Sequence, residues 1–224
     1  MKLLIIGYGK MGRLVDELAT GEAVEVTGRI DVDNVHGDWP AADVAIDFSI
    51  AAAVPGNLRR LAASGTNLVV GTTGWDASET ALRAAAEEAG IGVVASANFS
   101  IGVNLLQAMV AEAARLMAAQ PDYGAWIHEA HHSAKVDAPS GTAISLERAA
   151  REAGYDAPID VSSTRAGSMP GTHTVGFDGP FDTITLTHTA RSRSTFARGA
   201  LEAARWVSGR QGWFTMRDVL GLDP

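Results

Sequence analysis

The residues best suited to acid–base chemistry lie in the stretch EAHHSAKVDAPSGT, which begins at Glu129. Half of the six histidines fall between His128 and His132, and Lys135 follows three residues later. The Ser-Gly-Thr sequence at 140–142 predicts the start of a helix, although it also fits a helix cap with no further role. Exposed N–H groups at a helix start bind anions well. We therefore predict a site for a small anionic substrate that must also be protonated.

The overall composition narrows the classes of function. The chain has 224 residues, is 46% hydrophobic and carries a formal net charge of −8, which predicts one large or two small globular domains. It contains no cysteine, which excludes disulfides, thiol catalysis and cysteine-ligated metal sites. The acidic balance argues against nucleic-acid and membrane partners, and no apolar run approaches the roughly 20 residues of a membrane span. We expect a cytoplasmic protein.

A second candidate site lies at a glycine-rich loop near the N-terminus. Residues 3–6 form an apolar run typical of a strand buried on both faces, and GYGKMG follows at 7–12 before a helical pattern. In this setting Gly7 permits a tight turn, Gly9 lets the backbone approach a pyrophosphate, and Gly12 allows close packing of helix on strand. A glycine turn in another kind of α/β protein is the alternative.

Asp31 ends the second predicted strand and completes the pattern of a dinucleotide site. An acidic residue roughly 20 residues past the last motif glycine binds a ribose hydroxyl of the cofactor, and Asp33 is a possible substitute. No basic residue directly follows Asp31, so the sequence favours NADH over NADPH. Lys10 and Arg29 are close enough in sequence to offer charge to a 2′-phosphate, so NADPH stays open.

The remaining elements predict an α/β protein with two parts. Strands and helices alternate as far as residue 99, which predicts a doubly wound parallel sheet of the Rossmann type. Consecutive strands later in the chain predict a second α+β domain with a mixed sheet. The predicted strands are 24–30, 44–49, 67–70, 91–95, 126–131, 160–165, 173–177 and 183–189, and the predicted later helices are 101–119, 140–153 and 194–207.

Taken together, these motifs resemble the 4-hydroxy-tetrahydrodipicolinate reductase (dihydrodipicolinate reductase) family of diaminopimelate and lysine biosynthesis. The resemblance covers nearly the whole chain. Its most specific part is EAHHxxKxDxPSGTA at 129–143, and it is supported by the motifs at 7–12, 47–49, 71–74, 97–102, 165–173 and 193–200. The resemblance implies reduction of hydroxytetrahydrodipicolinate, with loss of water, by NADH or NADPH. It also implies a dicarboxylate substrate and a homo-oligomer, usually a tetramer, with a dimer as the alternative.

The resemblance further implies roles for individual residues. His131 would donate and accept a proton, and Lys135 would donate one. The substrate carboxylates would be bound by His132, Ser140, Gly141 and Thr142. The cofactor would be bound by Gly7, Tyr8, Gly9, Lys10, Met11, Gly12 and Asp31, and its nicotinamide end by Gly71, Thr72, Thr73, Ser96, Ala97, Asn98 and Phe99. The clustered histidines do not form a metal constellation, so we expect no metal.

By the same resemblance, residues 1–99 and 194–224 form the dinucleotide-binding domain, and residues 100–193 form the substrate-binding and oligomerisation domain. The stretch between Asp31 and Asp47 is short for the family and lacks a whole element, which predicts a sheet with fewer strands. Two alternatives remain. Another two-domain nicotinamide dehydrogenase would lack the motif around His131, and a non-catalytic NAD(H)-binding sensor would not need His131 and Lys135.

Overall fold

The computed structural model describes residues 1–20 and 23–222, and the chain divides into two compact units. The first unit is Met1–Ile101 with Arg193–Pro224, and the second is Gly102–Ser192. The last two residues of the predicted first domain lie outside the described residues. The roles predicted for the two domains stay predictions. Among the described helices, none combines the length and apolar character needed to cross a membrane.

The secondary structure follows the predicted order closely. The elements are β1 (Lys2–Ile6), α1 (Lys10–Ala19), β2 (Glu25–Ile30), β3 (Val44–Asp47), α2 (Val54–Ala63), β4 (Asn67–Val70), a 3-10 turn (Asp76–Ser78), α3 (Glu79–Ala89), β5 (Gly92–Ala95), α4 (Ile101–Met117), β6 (Gly124–His131), α5 (Gly141–Glu152), β7 (Ile159–Arg165), β8 (Thr172–Asp178), β9 (Thr183–Thr189), α6 (Ser194–Val207), β10 (Gly212–Phe214) and α7 (Met216–Val219).

The first unit contains a six-stranded sheet in the order β10-β5-β4-β3-β1-β2, in which all neighbours are parallel. The central strands β3 and β4 are buried along their whole length, as the apolar sequence of a covered parallel strand requires. Residues of α1 and α6 pack on one face of the sheet, and residues of α2 and α3 pack on the other. The predicted doubly wound parallel sheet is confirmed.

The connection after β2 is shortened, as the sequence predicts. All of residues 31–43 are described, and they form neither helix nor strand, so the chain passes from the edge strand β2 directly to β3 on the far side of β1. The connection lies against β2: the Asn34 amide donates to the carbonyl oxygen of Arg29 at 2.9 Å, and Pro40 packs against Gly28. Strand β10, which was not predicted, adds a sixth strand beside β5, and the expectation that the sheet has fewer strands than is usual for the family stays a prediction.

The second unit contains a four-stranded mixed sheet in the order β7-β6-β8-β9. Strands β6 and β7 are parallel, whereas β8 is antiparallel to both β6 and β9. Helices α4 and α5 cover one face, where Leu106, Val110, Leu146 and Phe177 are buried. The predicted second domain with a mixed sheet is therefore confirmed as a fold.

The covered face of this sheet changes abruptly from apolar to ionisable. Strand register places Ile127 beside Val161 and Val175, which belong to the apolar cluster under the helices. Two residues further along β6, the register pairs Glu129 with His173. The inward-facing residues of β6 thus change from apolar at Ile127 to ionisable at Glu129, and the next one is His131. The sheet register positions the candidate site.

Candidate active site

Glu129 is the buried centre of the ionisable groups in the second unit. Arg165 donates from Nη1 to Oε2 at 2.8 Å and from Nη2 to Oε1 at 2.6 Å. The His131 Nδ1 donates to Oε2, and the backbone N–H of Ser140 donates to Oε1 at 3.2 Å. Burial alone would raise the pKa of Glu129, but hydrogen bonds from Arg165, Ser163 and His131 lower it to about 2. Glu129 is therefore an ionised carboxylate at neutral pH.

The hydrogen bond to Glu129 determines which nitrogen of His131 can exchange a proton. A carboxylate only accepts hydrogen bonds, so Nδ1 of His131 carries a proton, and Nε2 is the nitrogen left for exchange. Nε2 lies against the backbone of Gly171, where an added Cβ would come within 2.9 Å of it. A side chain at position 171 would therefore crowd the exchangeable nitrogen of this histidine.

Ser140 joins the helix start to the buried groups. It caps α5, because its Oγ accepts from the backbone N–H of Ala143 at 3.2 Å, and the same Oγ lies 2.9 Å from Nε2 of His173. Burial, and then the nearby charge of His131, lower the pKa of His173 to about 4, so its ring is neutral at pH 7. Among the described residues, no hydrogen-bond partner contacts Nδ1 of His173.

Lys135 lies on the loop between β6 and α5 and forms an ion pair. Its Nζ lies 2.7 Å and 2.8 Å from the two carboxylate oxygens of Asp137. The hydrogen bond from Lys135 lowers the pKa of Asp137. The backbone N–H of His132 donates to the carbonyl oxygen of Met169 at 2.9 Å, so this loop is tied to the connection between β7 and β8.

The remaining predicted substrate ligands, Gly141 and Thr142, form the first turn of α5. This helix spans twelve residues, from Gly141 to Glu152, so its N-terminus carries the positive end of a helix dipole. An added Cβ at Gly141 would meet nothing within 4 Å among the described residues, so open space lies beside it. The position suits an anion, and the binding role of both residues stays a prediction.

Three side chains here also satisfy a geometric criterion for a metal site. Glu129, His131 and His173 each offer a ligand atom, and these atoms lie within 4.8 Å of one another. However, Arg165 and the Ser140 N–H already occupy the oxygens of Glu129, and a nearby guanidinium disfavours a cation. The donor set is therefore organised as a hydrogen-bond network, and the expectation of no metal stays a prediction.

No role was predicted for Glu129, Arg165 or His173, although all three lie in the motifs at 129–143 and 165–173. Two of these residues could have been recognised from their positions in the strands. Glu129 follows the inward-facing Ala125 and Ile127 of β6, and His173 precedes the inward-facing Val175 and Phe177 of β8, and such a break in an apolar alternation marks a buried polar group. Strand β7 gives no such signal for Arg165, because the polar Ser163 lies on the same face. The pairing of Glu129 with Arg165 joins residues that are far apart in sequence, so it becomes visible only when the strand register is known.

In the first unit, the glycine loop has the geometry that a dinucleotide requires. Gly7 has φ +84°, and an added Cβ would lie 2.4 Å from the carbonyl oxygen of Phe48. An added Cβ at Gly12 would lie 2.2 Å from the carbonyl oxygen of Gly7. At Gly9 the described residues leave the space around an added Cβ empty to 4 Å. The loop is thus tight where it packs and open where a pyrophosphate would approach the start of α1.

Two clefts bring most of the predicted cofactor residues together. A cleft of about 530 Å³ joins Gly9, Lys10 and Met11 of the glycine loop to residues 48–51 and to Gly71, Thr72 and Thr73. A smaller cleft of about 200 Å³ joins Thr72 and Thr73 to Ser96 and Ala97. The structure therefore gathers the loops after β1, β3, β4 and β5 at the carboxyl ends of the strands, where doubly wound sheets bind ligands.

Three predicted cofactor residues lie differently. The Phe99 side chain is buried in the core, with its ring edge-to-face against Phe48 at 6.3 Å, so only its backbone is left for a cofactor. Asn98 uses its Oδ1 to accept from the backbone N–H of Ser100 at 2.9 Å. Tyr8 donates its hydroxyl to Asp16, so its hydroxyl hydrogen already has an acceptor within the protein.

Asp31 is exposed at the end of β2, close to the glycine loop in the sheet. The backbone N–H of Gly7 donates to the carbonyl oxygen of Ile30 at 2.8 Å, so the loop begins beside Asp31. Asp31 does not appear among the described residues that line the two clefts. Arg29 donates to both carboxylate oxygens of Asp16, at 2.7 Å and 2.6 Å. The guanidinium of Arg29, one of the two cations that the sequence offers to a 2′-phosphate, is therefore held by a carboxylate.

The chain matches two family models, described as the N-terminus of dihydrodipicolinate reductase over residues 1–99 and its C-terminus over residues 102–220. It is 42% identical to a 4-hydroxy-tetrahydrodipicolinate reductase from Methanoregula boonei, over 99% of this chain and 98% of the relative. A reductase of the same name from Christiangramia forsetii is 34% identical over 98% of both chains. The fold is similar to that of a dipicolinate-bound dihydrodipicolinate reductase from Paenisporosarcina sp. TG-14, with a TM-score of 0.82, 22% identity, and coverage of 96% and 97% of the two chains.

Proposed function

The chain belongs to the dihydrodipicolinate reductase family, and from that membership we propose how its residues reduce 4-hydroxy-tetrahydrodipicolinate to tetrahydrodipicolinate in diaminopimelate and lysine biosynthesis. The observation that carries the proposal is the buried arrangement in which Glu129 and Arg165 hold His131 within the family motif. A protein that only sensed NAD(H) would not need a histidine whose Nδ1 proton is held by a buried carboxylate. A cytoplasmic location stays a prediction.

The glycine loop and the adjoining cleft fit a nicotinamide dinucleotide, which supplies the hydride when it is bound. Gly9 leaves room for the pyrophosphate at the start of α1, and the loop Gly71–Thr73 lines the same cleft. We favour NADH over NADPH. Asp31 suits a ribose hydroxyl, and the ion pair of Arg29 with Asp16 removes one cation that a 2′-phosphate would need.

The substrate carries carboxylates, and the loop between β6 and α5 offers the groups to bind them. The first-turn N–H groups of α5, at Gly141 and Thr142, would take one carboxylate, with His132 beside them. Lys135 would take the other, and its present partner is Asp137. Because Asp137 is more exposed than Lys135, we propose that the substrate carboxylate replaces or joins Asp137 at the ammonium group.

Hydride addition to a conjugated imine builds negative charge on the substrate, which a positioned proton donor must neutralise. We assign this role to Lys135 and His131. Glu129 holds the Nδ1 proton of His131 in place, so that exchange takes place at Nε2. General acid catalysis of this kind typically contributes about 10²–10⁴-fold to a rate.

The uncovered face of the second sheet supports a homo-oligomer, which the family resemblance would make a tetramer. Threonines line this face on neighbouring strands: Thr174 lies 3.1 Å from Thr187, and Thr172 lies 3.2 Å from Thr189, oxygen to oxygen. In the single chain Thr187 and Thr189 are exposed, and Thr172 and Thr174 are half-buried. A face of β-branched side chains is well suited to packing against a second sheet.

The proposed function is tested by making the unstable substrate in situ from pyruvate and aspartate semialdehyde, and following oxidation of NADH and NADPH separately. We expect Lys135→Ala to abolish turnover while NADH binding, measured by calorimetry, persists. Lys2→Ala, at an exposed lysine of β1, is the matched control and should keep full activity. Absence of turnover with both cofactors in the wild type, despite measurable binding, would favour the sensor or another substrate.

A further inference from the structure

Asp47 is a fully buried carboxylate at the carboxyl end of β3 to which the proposed chemistry gives no role. Its Oδ1 accepts from the backbone N–H of Ser49 at 2.8 Å, from the Ser49 hydroxyl at 2.6 Å and from the Thr72 hydroxyl at 3.0 Å. Its Oδ2 accepts from the side-chain amide of Asn57 at 2.8 Å. Four donors therefore converge on one carboxylate within the first unit.

These bonds fix the direction in which two hydroxyl groups donate. A carboxylate only accepts hydrogen bonds, so Ser49 and Thr72 each direct their single hydroxyl proton to Asp47. Both residues also line the cleft of about 530 Å³ that adjoins the glycine loop. Their remaining hydrogen-bonding capacity is lone pairs, of which one on the Ser49 oxygen accepts from the Asn57 amide at 3.4 Å. This wall of the cleft thus accepts hydrogen bonds, whereas hydroxyls without Asp47 would be free to rotate and donate.

We propose that Asp47 is a positioning residue that makes Ser49 and Thr72 acceptors for the amide N–H₂ group of the nicotinamide ring. This inference rests on the proposed function, which puts the nicotinamide end of the cofactor at the loop after β4. Of the hydrogen-bonding groups on the nicotinamide ring, the N–H₂ of the carboxamide is the donor. Two fixed acceptors therefore select a ring that carries an amide over one that carries only a ketone in its place.

Binding measurements with cofactor analogues test this directly. Calorimetry would compare NADH with its reduced 3-acetylpyridine analogue, in which a methyl group replaces the amide N–H₂. We expect the wild type to bind the analogue about tenfold more weakly, as loss of a hydrogen bond implies. The reduced hypoxanthine analogue, which lacks the amino group at the adenine end instead, should bind like NADH. That comparison assigns the effect to the nicotinamide end.

Asp47→Ala should remove the discrimination. Without the carboxylate the two hydroxyls lose the acceptor that fixes their direction, so both can rotate and donate, and the tenfold preference for NADH should fall to about twofold or less. Thr72→Val removes an acceptor while Asp47 stays intact, and it should weaken NADH binding but leave analogue binding nearly unchanged. This second variant keeps the inference testable if Asp47→Ala does not fold.

The control for a merely structural effect is Asn67→Ala. Asn67 is also buried in the first unit, where its amide donates to the carbonyl oxygen of Val207 at 2.6 Å and its Oδ1 accepts from the N–H of Gly92 at 2.8 Å. It should lower the melting temperature without changing the ratio of the two affinities. Equal wild-type binding of NADH and the acetylpyridine analogue, or undiminished discrimination in folded Asp47→Ala, would overturn the inference. Binding of neither dinucleotide would instead overturn the proposed function.

Discussion

Replacing Glu129 with glutamine should destabilise the protein by about 2–3 kcal/mol near neutral pH. The substitution keeps the size of the side chain and removes its charge from a fully buried position. The pKa of Glu129 falls from 4.5 to about 2 on folding, and at 1.36 kcal/mol per pH unit this corresponds to about 3 kcal/mol. Some screening is expected because the Arg165 side chain is 17% exposed, which gives the lower bound.

The pH dependence of this loss follows from the direction of the shift. A carboxyl group whose pKa is depressed on folding contributes stability that is complete above its unfolded pKa and is lost as the pH falls through its folded pKa. The difference between wild type and Glu129→Gln should therefore be constant above about pH 5, fall to about half at pH 3, and vanish near pH 2. Because the amide also changes the partner of His131, kcat should fall by about 10²–10⁴-fold.

Urea denaturation at pH 7 and pH 3 measures the loss of stability and its dependence on pH. Trp126 on β6 gives a fluorescence signal in the second unit. The matched control is Glu112→Gln on α4, which removes an ion pair with Arg115 of similar length but at an exposed position. The control should leave stability essentially unchanged. A loss below about 1 kcal/mol in Glu129→Gln, or the same loss at both pH values, would refute the reasoning.

Three further predictions concern other positions. Gly12→Ala should lower the melting temperature, because its methyl group would lie 2.2 Å from a backbone oxygen, whereas Gly56→Ala in α2, with nothing described within 4 Å, should raise stability by about 0.5–1 kcal/mol; equal effects would contradict this. Asp31→Ser combined with Val32→Arg should shift the ratio of kcat/KM for NADPH over NADH about tenfold upward, and an unchanged ratio would remove Asp31 from the cofactor site. The pKa of His173 falls from 6.5 to about 4 through burial, so the unfolded state binds the proton first and stability is lost as the pH falls from about 6.5 to 4; urea titrations of His173→Gln should be flatter over that range, and an unchanged slope would contradict the assignment.

The parts of the fold that the sequence predicts are those determined by local patterns. The buried strands β3 and β4 are continuous apolar runs, and the glycine loop has the turn chemistry of a βα unit, so both can be recognised from neighbouring residues. Strand β10 was missed. It has three residues, too few for a period, and it forms through pairing with β5, which lies more than a hundred residues earlier.

The residues of the candidate site also divide into those that a local motif predicts and those that depend on distant parts of the chain. His131 and Lys135 were predicted because they lie in one short motif. The bond from Arg165 to Glu129 and the contact of His173 with Ser140 depend on register between strands, which no local pattern specifies. The Phe99 side chain is buried in the core, because an apolar residue after a parallel strand is as well suited to the core as to a ligand, and its predicted cofactor role stays a prediction for the backbone.

The shortened connection after β2 has a consequence for the behaviour of the chain in a crowded cell. Removal of a strand from the end of a sheet exposes a row of backbone groups that can template aggregation with another molecule. Here the Asn34 amide occupies the outward carbonyl of Arg29, and Pro40, which has no N–H to offer, packs against Gly28. The residues of this connection therefore protect the edge of the sheet. Lengthening or loosening this connection should make the protein more prone to associate edge to edge, without any change in its chemistry.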